Sequence, residues 1–530
     1  MRRRDFLYIS GGLAGLALRP GMCGPFSLTD AKGKSATNEM IGMYVHQHWP
    51  YNHPYAARTW TVEDYRGYAD GLKKIGYNMI MIWPVLETMP DPLTPSDRAN
   101  LDKISKVIDM LHSEFQMRVF IALCPNVGAK NEEAAKYEFE KRHFFYCDMR
   151  VNPGDPAALG RMIKWREELL GPLARMDGLS IIDSDPGGYP GSNNAEFVNL
   201  FGEHRKMLDR LRHGVELYYW MHVGWDAYCR LYQTGDRGNH GWGTPAEADD
   251  ILTRMKKLDP KPWAITTHTV GDPPNGTNLK LAAKFGLAET ALAFNYNGIE
   301  YEPSFPMTNF GDDAAFESGR AVAPGGNLAN AQTHCVQLPN TFAFARGATG
   351  KTGPTATDYV EFAEDLIPGQ GELIAHGWEA LPSKDANTMR AAADKLEAVA
   401  EEKLSPGPLR GLLFGDPRRF VNDLITELRL KAAYSDFIAA SEGDSGSKEP
   451  FREFVAAMEG WQARHGYEGA LRWTGLEKEL RKLKSPSIDA VLDEKGEGST
   501  PYDRVADQLR KTETYTSRLL QAMKKTTQNS

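Results

Sequence analysis

The stretch TVEDYRGYADGLKKIGYNMIMIWPV, which runs from Thr61 to Val85, contains the repeating unit from which the fold can be inferred. Thr61 can cap a helix, Asp64 follows three residues later, the next apolar residues keep helical spacing, and Gly76 can end the helix. The run MIMIW at 79–83 is then apolar at every position, as in strands that are buried on both faces. The stretch therefore predicts an amphipathic helix followed by a fully buried parallel strand.

The same alternation recurs from residue 41 to residue 339. Amphipathic segments separate seven further strand-like runs, which are IGMYVHQHWP at 41–50, RVFIALCPNVG at 118–128, DGLSIID at 177–183, VELYYWMHVGW at 215–225, KPWAITTHTV at 261–270, TALAFNYNGIEYEP at 290–303 and ANAQTHCVQLP at 329–339. Eight strand–helix units in about 310 residues predict an α/β fold of the (β/α)8, or TIM barrel, type. An open doubly wound sheet is the alternative, although no GxGxxG or GxxxxGK[ST] motif follows any strand.

The chain divides into three predicted parts. Residues 1–37 hold MRRRDFLYISGGLAGLALRPG and a linker, and this arginine-led apolar run is typical of a twin-arginine export signal, with a basic N-terminal helix as the alternative. Residues 38–352 would form the barrel. Residues 353–530 lack β-branched runs and have helical spacing, which predicts an α-helical C-terminal domain. We therefore expect a periplasmic or secreted protein.

Composition excludes several classes of partner. The formal net charge is −8 over 530 residues, which favours neither nucleic acid nor an anionic membrane, and no segment beyond the leader is apolar for long enough to span a bilayer. The four cysteines after the leader are widely spaced, so neither a disulfide framework nor a zinc–thiolate cluster is indicated. We expect no cofactor and no bound metal. Nothing in the sequence indicates the oligomeric state.

Acids, amides and aromatic rings follow the predicted strands. The carboxyl ends of barrel strands form the reaction face, so these side chains should meet there. Indole and phenol rings cover the apolar faces of sugars, while acids and amides bind hydroxyl groups. The sequence therefore predicts a carbohydrate substrate, with these candidate binding residues: His46, His48, Trp83, Glu87, Trp220, His222, Trp225, His268, Tyr296 and Asn297.

Two acids end the fourth strand-like run, in DGLSIIDSDPGG. Asp183 and Asp185 share one direction if the strand continues, and two close carboxylates raise each other's proton affinity. Glycosidic cleavage needs one protonated carboxyl group as general acid and a second group to stabilise the transition state. Both aspartates could act together, one of them orienting a substrate acetamido group, or one could face Glu300 or Glu302. Alternatively, an aspartate before Pro-Gly-Gly simply caps the turn.

The layout resembles exported bacterial barrel glycoside hydrolases, most nearly the group of hexosaminidases, α-N-acetylglucosaminidases and α-glucuronidases. The segments MIMIWPVLETMP, DGLSIIDSDPGG, FAEDLIPG and GWEAL carry this resemblance over about residues 40–400. The His-x-Gly-Gly-Asp-Glu signature of family-20 hexosaminidases is absent, and Asp183-Ser184-Asp185 stands near its place. The resemblance implies a glycoside hydrolase that uses carboxylate acid/base catalysis, with or without assistance from the substrate.

Metal-dependent hydrolysis is the competing class. His46 and His48 match the His-x-His of amidohydrolase barrels, and His222 and His268 fall on later strands where that superfamily places further histidines. However, the fourth strand offers no lysine and the eighth no aspartate, so half of that ligand set is missing.

Overall fold

The computed structural model describes most of the chain after the leader. The described residues are 40–48, 51–142, 148–184, 186–234, 243–258, 263–268, 279–294, 314–320, 323–331, 333–400, 403–442, 448–465, 476–493 and 515–529. The predicted export signal, residues 1–37, lies outside them. Among the helices within these ranges, none combines the length and apolar character needed to cross a membrane.

Eight parallel strands close into a barrel, in the spatial order β1-β10-β9-β8-β7-β6-β3-β2. The predicted TIM barrel is thus confirmed, and closure excludes the open sheet. A separate two-stranded antiparallel sheet, β4 with β5, follows β3. The strands are β1 (Ile41–His46), β2 (Met79–Trp83), β3 (Arg118–Leu123), β4 (Val127–Ala129), β5 (Asp148–Arg150), β6 (Gly178–Ile182), β7 (Glu216–Trp220), β8 (Trp263–His268), β9 (Leu292–Phe294) and β10 (Gly326–Asn330).

Helices follow the barrel strands and cover them from outside. Around the barrel they are α1 (Val62–Ile75), α2 (Pro95–Phe115), α3 (Asn131–Ala134), α4 (Pro156–Leu170), α5 (Asn194–Leu211), α6 (Trp225–Thr234), α7 (Pro245–Met255), α8 (Leu279–Lys284), α9 (Ala314–Arg320) and α10 (Leu338–Ala348). The opening stretch folds as predicted, since Thr61 and Asp64 form a reciprocal capping box at the start of α1. Gly76 ends that helix in the left-handed conformation, with φ of 117°.

The eighth strand lies earlier than the sequence suggested. It occupies Gly326–Asn330, whereas the predicted run began at 329 and continued to 339. After the strand the chain turns: the Thr333 amide donates to the Gln337 side chain at 3.0 Å, and the Val336 amide donates to the Thr333 carbonyl at 2.9 Å. The apolar residues Val336 and Leu338 are therefore buried in the turn and at the start of α10 rather than in a strand.

The C-terminal part is helical, as predicted. Its helices are α11 (Ala356–Leu366), α12 (Gly371–Ala380), α13 (Ala386–Ala400), α14 (Pro417–Glu442), α15 (Lys448–His465), α16 (Leu476–Lys482), α17 (Pro486–Leu492) and α18 (Tyr515–Asn529). One hydrophobic core runs from the barrel into these helices as far as Ala432, and a second core joins the last helices to Tyr51 and Tyr55. The domain boundary at 353 stays a prediction.

Gly326 is expected to be essential where β10 meets β1. Its φ is +123°, and a Cβ added there would lie 2.0 Å from the Met40 carbonyl oxygen. Gly326→Ala should therefore lower the free energy of unfolding by roughly 3 kcal/mol or more, measured by urea denaturation. Gly350→Ala is the matched control, because Gly350 also has a positive φ, of +72°, but open space around it. That variant should lose only about 1 kcal/mol, and equal losses in both variants would contradict the steric argument.

Candidate functional site

Four aromatic side chains form an inner layer at the carboxyl mouth of the barrel. Tyr44 and His46 point inward from β1, with ring centroids 4.0 Å apart. The Trp83 ring on β2 lies 5.8 Å from that of His46, and the Trp220 ring on β7 lies 5.1 Å from that of Tyr44. We call these four residues the mouth cluster. It brings together three of the predicted sugar-binding residues, and Tyr44 is an addition.

His46 is a neutral imidazole. Its Nε2 lies 3.0 Å from Asn330 Oδ1, and an amide oxygen can only accept, so Nε2 carries the proton. Burial lowers the pKa of His46 to about 3, although the bond to Asn330 opposes that shift. The ring is therefore uncharged at any pH near neutrality.

Glu87 holds Trp83 in place. Its carboxylate accepts from the Trp83 indole Nε1 at 3.3 Å and from the Cys124 backbone amide, which links β2 to β3. Burial raises the pKa of Glu87, and the nearby Arg166 guanidinium opposes that rise. The preceding Val85 has a φ of 45°, a costly conformation for a β-branched residue. These contacts favour a positioning role over the direct sugar binding that we predicted for Glu87.

The Asp183 carboxylate is fully buried and is occupied by four donors. Its Oδ1 accepts the backbone amides of His222 at 3.2 Å and Val223 at 3.1 Å, while Oδ2 accepts the Gly224 amide at 2.9 Å and the Tyr219 hydroxyl at 3.0 Å. Burial raises the pKa of Asp183 to about 6, against the opposing effect of these donors. The contacts argue against Asp183 as the group that donates a proton to substrate. They favour the structural alternative, although the turn it holds follows β7 rather than β6.

The turn after β6 is itself tightly folded. A Cβ at Gly187 would lie 2.3 Å from the Asp183 carbonyl oxygen, so only glycine fits there. The Asn126 side chain donates to the Gly188 carbonyl at 2.9 Å, which connects this turn to the segment after β3. Ser184 Oγ lies 2.7 Å from His222 Nδ1. The ends of β6 and β7 are thus joined both through Asp183 and through Ser184.

Trp225 lies in the core, away from the mouth. Its side chain is fully buried, its ring lies 5.1 Å from that of Phe197 on α5, and its Nε1 donates to Ser192 Oγ at 3.1 Å. The prediction that it binds sugar is not supported by these contacts. Trp225 begins α6, a helix that the sequence did not indicate, so its side chain turns outward from the barrel.

His48 and His222 are buried near the mouth. The His48 ring lies 4.9 Å from that of Trp83, and the His48 backbone carbonyl accepts from the Arg58 side chain at 2.9 Å. The remaining predicted residues, Asp185, Tyr296, Asn297, Glu300 and Glu302, lie outside the described residues, and of His268 only the backbone, at the end of β8, is described.

A metal centre does not emerge from the part of the chain that is described. No group of three or more His, Cys, Asp or Glu side chains within those ranges is arranged to hold a metal ion. In particular, Nε2 of His46 is bonded to Asn330, and Nδ1 of His222 to Ser184.

Several residues of the site were missed from sequence. Tyr44 could have been found, because it stands two residues before His46 on a strand and therefore faces the same way. Tyr219, Ser184 and Asn330 act through partners that are distant in sequence, so no local pattern revealed their contacts.

No protein-family model and no curated protein matches the chain. Solved structures that are similar include CpGH84B, at 12% identity over 80% of this chain and 74% of that one, with a TM-score of 0.41. A GH138 enzyme targeting pectin rhamnogalacturonan II is 11% identical over 93% of this chain and 68% of that one, with a TM-score of 0.45. The GH20 β-N-acetylhexosaminidase of Streptomyces coelicolor is 11% identical over 64% of this chain and 69% of that one, with a TM-score of 0.37. The barrel fold rests on the closed sheet of this chain itself.

Proposed function

We propose that the protein is a glycoside hydrolase that cleaves an O-glycosidic bond of an oligo- or polysaccharide. The observation that carries the proposal is the mouth cluster, a layer of aromatic rings and a neutral imidazole at the carboxyl end of a closed (β/α)8 barrel. Aromatic rings and polar ring nitrogens in one layer match the alternating C–H faces and hydroxyl groups of a sugar. The acid-bearing end of β6 adjoins β7, which carries Trp220.

Asp185 is the leading candidate for the general acid. Asp183 is committed to four protein donors, whereas Asp185, the other acid of the predicted pair, follows it by two residues in the sequence. The acid would protonate the leaving oxygen as the bond from the anomeric carbon breaks, and a second group would stabilise the oxocarbenium-like transition state. Glu300, Glu302 and an acetamido group of the substrate are the candidates for that second role.

A panel of aryl glycosides and polysaccharides tests the proposal. We expect at least one aryl glycoside to be hydrolysed with release of the free sugar, and the released anomer, followed by proton NMR, reports retention or inversion. Turnover should persist after chelation of divalent metals. No hydrolysis across the panel, or activity lost on chelation and restored by a transition metal, would contradict carboxylate catalysis and favour the amidohydrolase-like alternative.

Export by the twin-arginine route is part of the proposal, because a polysaccharide substrate lies outside the cytoplasm. The support is the arginine-led N-terminal sequence. Cell fractionation of the native protein should place it in the periplasm or medium, and replacing Arg2, Arg3 and Arg4 by lysine should retain it in the cytoplasm.

A further inference from the structure

Two polar atoms of the mouth cluster have no hydrogen-bond partner within the described structure. They are Nδ1 of His46 and Nε1 of Trp220, and both atoms are shielded from solvent. A buried polar atom without a partner costs about 1–3 kcal/mol, so native proteins keep few of them. Both atoms lie in one layer at the barrel mouth, where a bound ligand can supply the missing partners.

The two atoms have opposite hydrogen-bonding character. Because the His46 Nε2 proton is directed at Asn330 Oδ1, Nδ1 holds a lone pair and can only accept. The indole Nε1 of Trp220 can only donate. A hydroxyl group both donates and accepts, so neighbouring hydroxyls of one molecule can satisfy both atoms.

The Tyr44 ring packs against both of these side chains. Its centroid lies 4.0 Å from the His46 ring and 5.1 Å from the Trp220 ring, so both side chains flank a single phenol. Phe294 packs 4.5 Å from Trp220 on the β9 side and keeps that indole in place. Since both polar atoms are shielded, a ligand reaches them only when neighbouring side chains move aside.

We propose that His46 Nδ1 and Trp220 Nε1 form a subsite that binds the hydroxyl groups of an uncharged sugar and rejects a sugar carboxylate. This inference rests on the proposed function and deepens it. A carboxylate can only accept hydrogen bonds, so its oxygens would be repelled by the lone pair on His46 Nδ1, and its charge would be buried beside a neutral ring. The Arg166 guanidinium does not offset that cost, because it donates to the carbonyls of Cys124, Pro125 and Val127 at 2.7–2.9 Å.

The first experiment compares two series of aryl glycosides that differ only at C5, one with a hydroxymethyl group and one with a carboxylate. We expect kcat/KM to favour the uncharged series by about 100-fold or more, since an unpaired buried charge costs several kcal/mol. Comparable kcat/KM values for both series would overturn the inference while leaving the glycosidase proposal standing. Failure to hydrolyse either series would overturn both.

The second experiment removes the donor. Trp220→Phe keeps an aromatic ring, although a smaller one, and deletes the indole N–H; it should raise KM for the uncharged substrate about 10-fold with a smaller change in kcat. Trp165→Phe is the control. Trp165 lies on helix α4, outside the mouth cluster, and its indole N–H donates to the Met89 carbonyl at 3.4 Å. Equal KM values for the two variants, at matching thermal midpoints, would overturn the inference.

The third experiment varies the acceptor. His46→Asn keeps an oxygen close to the position of Nδ1, whereas His46→Leu removes all polarity at similar volume. KM for the uncharged substrate should stay within about 10-fold of wild type in the asparagine variant and rise well beyond that in the leucine variant. Equal behaviour of these two variants would mean that Nδ1 does not contact the sugar.

Discussion

Asp185→Asn is expected to lower turnover of an aryl glycoside by about 100-fold or more, because an amide cannot deliver the proton that the leaving oxygen needs. The thermal midpoint should stay close to that of the wild type, because the contacts that join β6 to β7 belong to Asp183 and Ser184. Measuring kcat and thermal unfolding on the same preparation separates loss of chemistry from loss of fold.

The leaving group provides an internal control for that result. A substrate whose phenol leaves as a stable anion needs little protonation, so Asp185→Asn should lose much less activity with it than with a poorly leaving phenol. A uniform loss across both substrates would place Asp185 outside the proton-transfer step. Near-normal kcat with the poorly leaving phenol would remove Asp185 from the mechanism and return attention to Glu300 and Glu302.

Local signals in the sequence were sufficient for the barrel. The Thr61–Asp64 box and Gly76 define a helix through bonds between residues three or four apart, and MIMIW defines a buried strand through its composition. The eighth strand was misplaced because Val336 and Leu338 are apolar for a different reason, namely burial in a turn and at a helix start. Short apolar runs do not distinguish these two environments.

The partners of the candidate site residues could not be predicted in the same way. Its place at the end of a strand-like run predicted that Asp183 lies at the barrel mouth, but its four donors come from residues 219–224, on the next strand and loop. Glu87 likewise depends on the Cys124 amide of β3, which no pattern in its own segment reveals. Which carboxylate is free to react is a property of such distant contacts.

Asp183→Asn is expected to lower stability and turnover together, unlike the change at Asp185. Asparagine can accept at only one oxygen, so its amide group would face the backbone N–H donors of residues 222–224 or the Tyr219 hydroxyl. The loop after β7 should shift, and with it His222 and its bond to Ser184. We expect a loss of about 1–3 kcal/mol in the free energy of unfolding near pH 5, measured by urea denaturation.

The stability lost in Asp183→Asn should depend on pH, and the burial of Asp183 determines whether that loss grows or shrinks as pH rises. The pKa of Asp183 rises from 3.8 in the unfolded chain to about 6 in the fold, so the unfolded state releases its proton first. Wild-type stability attributable to this group is therefore full below pH 3.8 and falls as pH rises to about 6. A tenfold change in proton affinity is worth about 1.4 kcal/mol, so this fall amounts to about 3 kcal/mol. Asparagine does not titrate, and hence the stability gap between wild type and Asp183→Asn should narrow as pH rises.

Asp250→Asn is the control variant, because its stability difference from wild type should change with pH in the opposite direction. The Asp250 carboxylate is exposed and bonded to Arg254 at 2.9 Å, which holds its pKa below the ordinary value. That group contributes stability above pH 3.8 and loses it as pH falls, so the gap between wild type and Asp250→Asn should stay constant or widen as pH rises. A gap for Asp183→Asn that widens in the same direction would mean that its four donors outweigh burial. Asp183 would then be ionised throughout the working range and would act as a structural anion that its four donors hold in place.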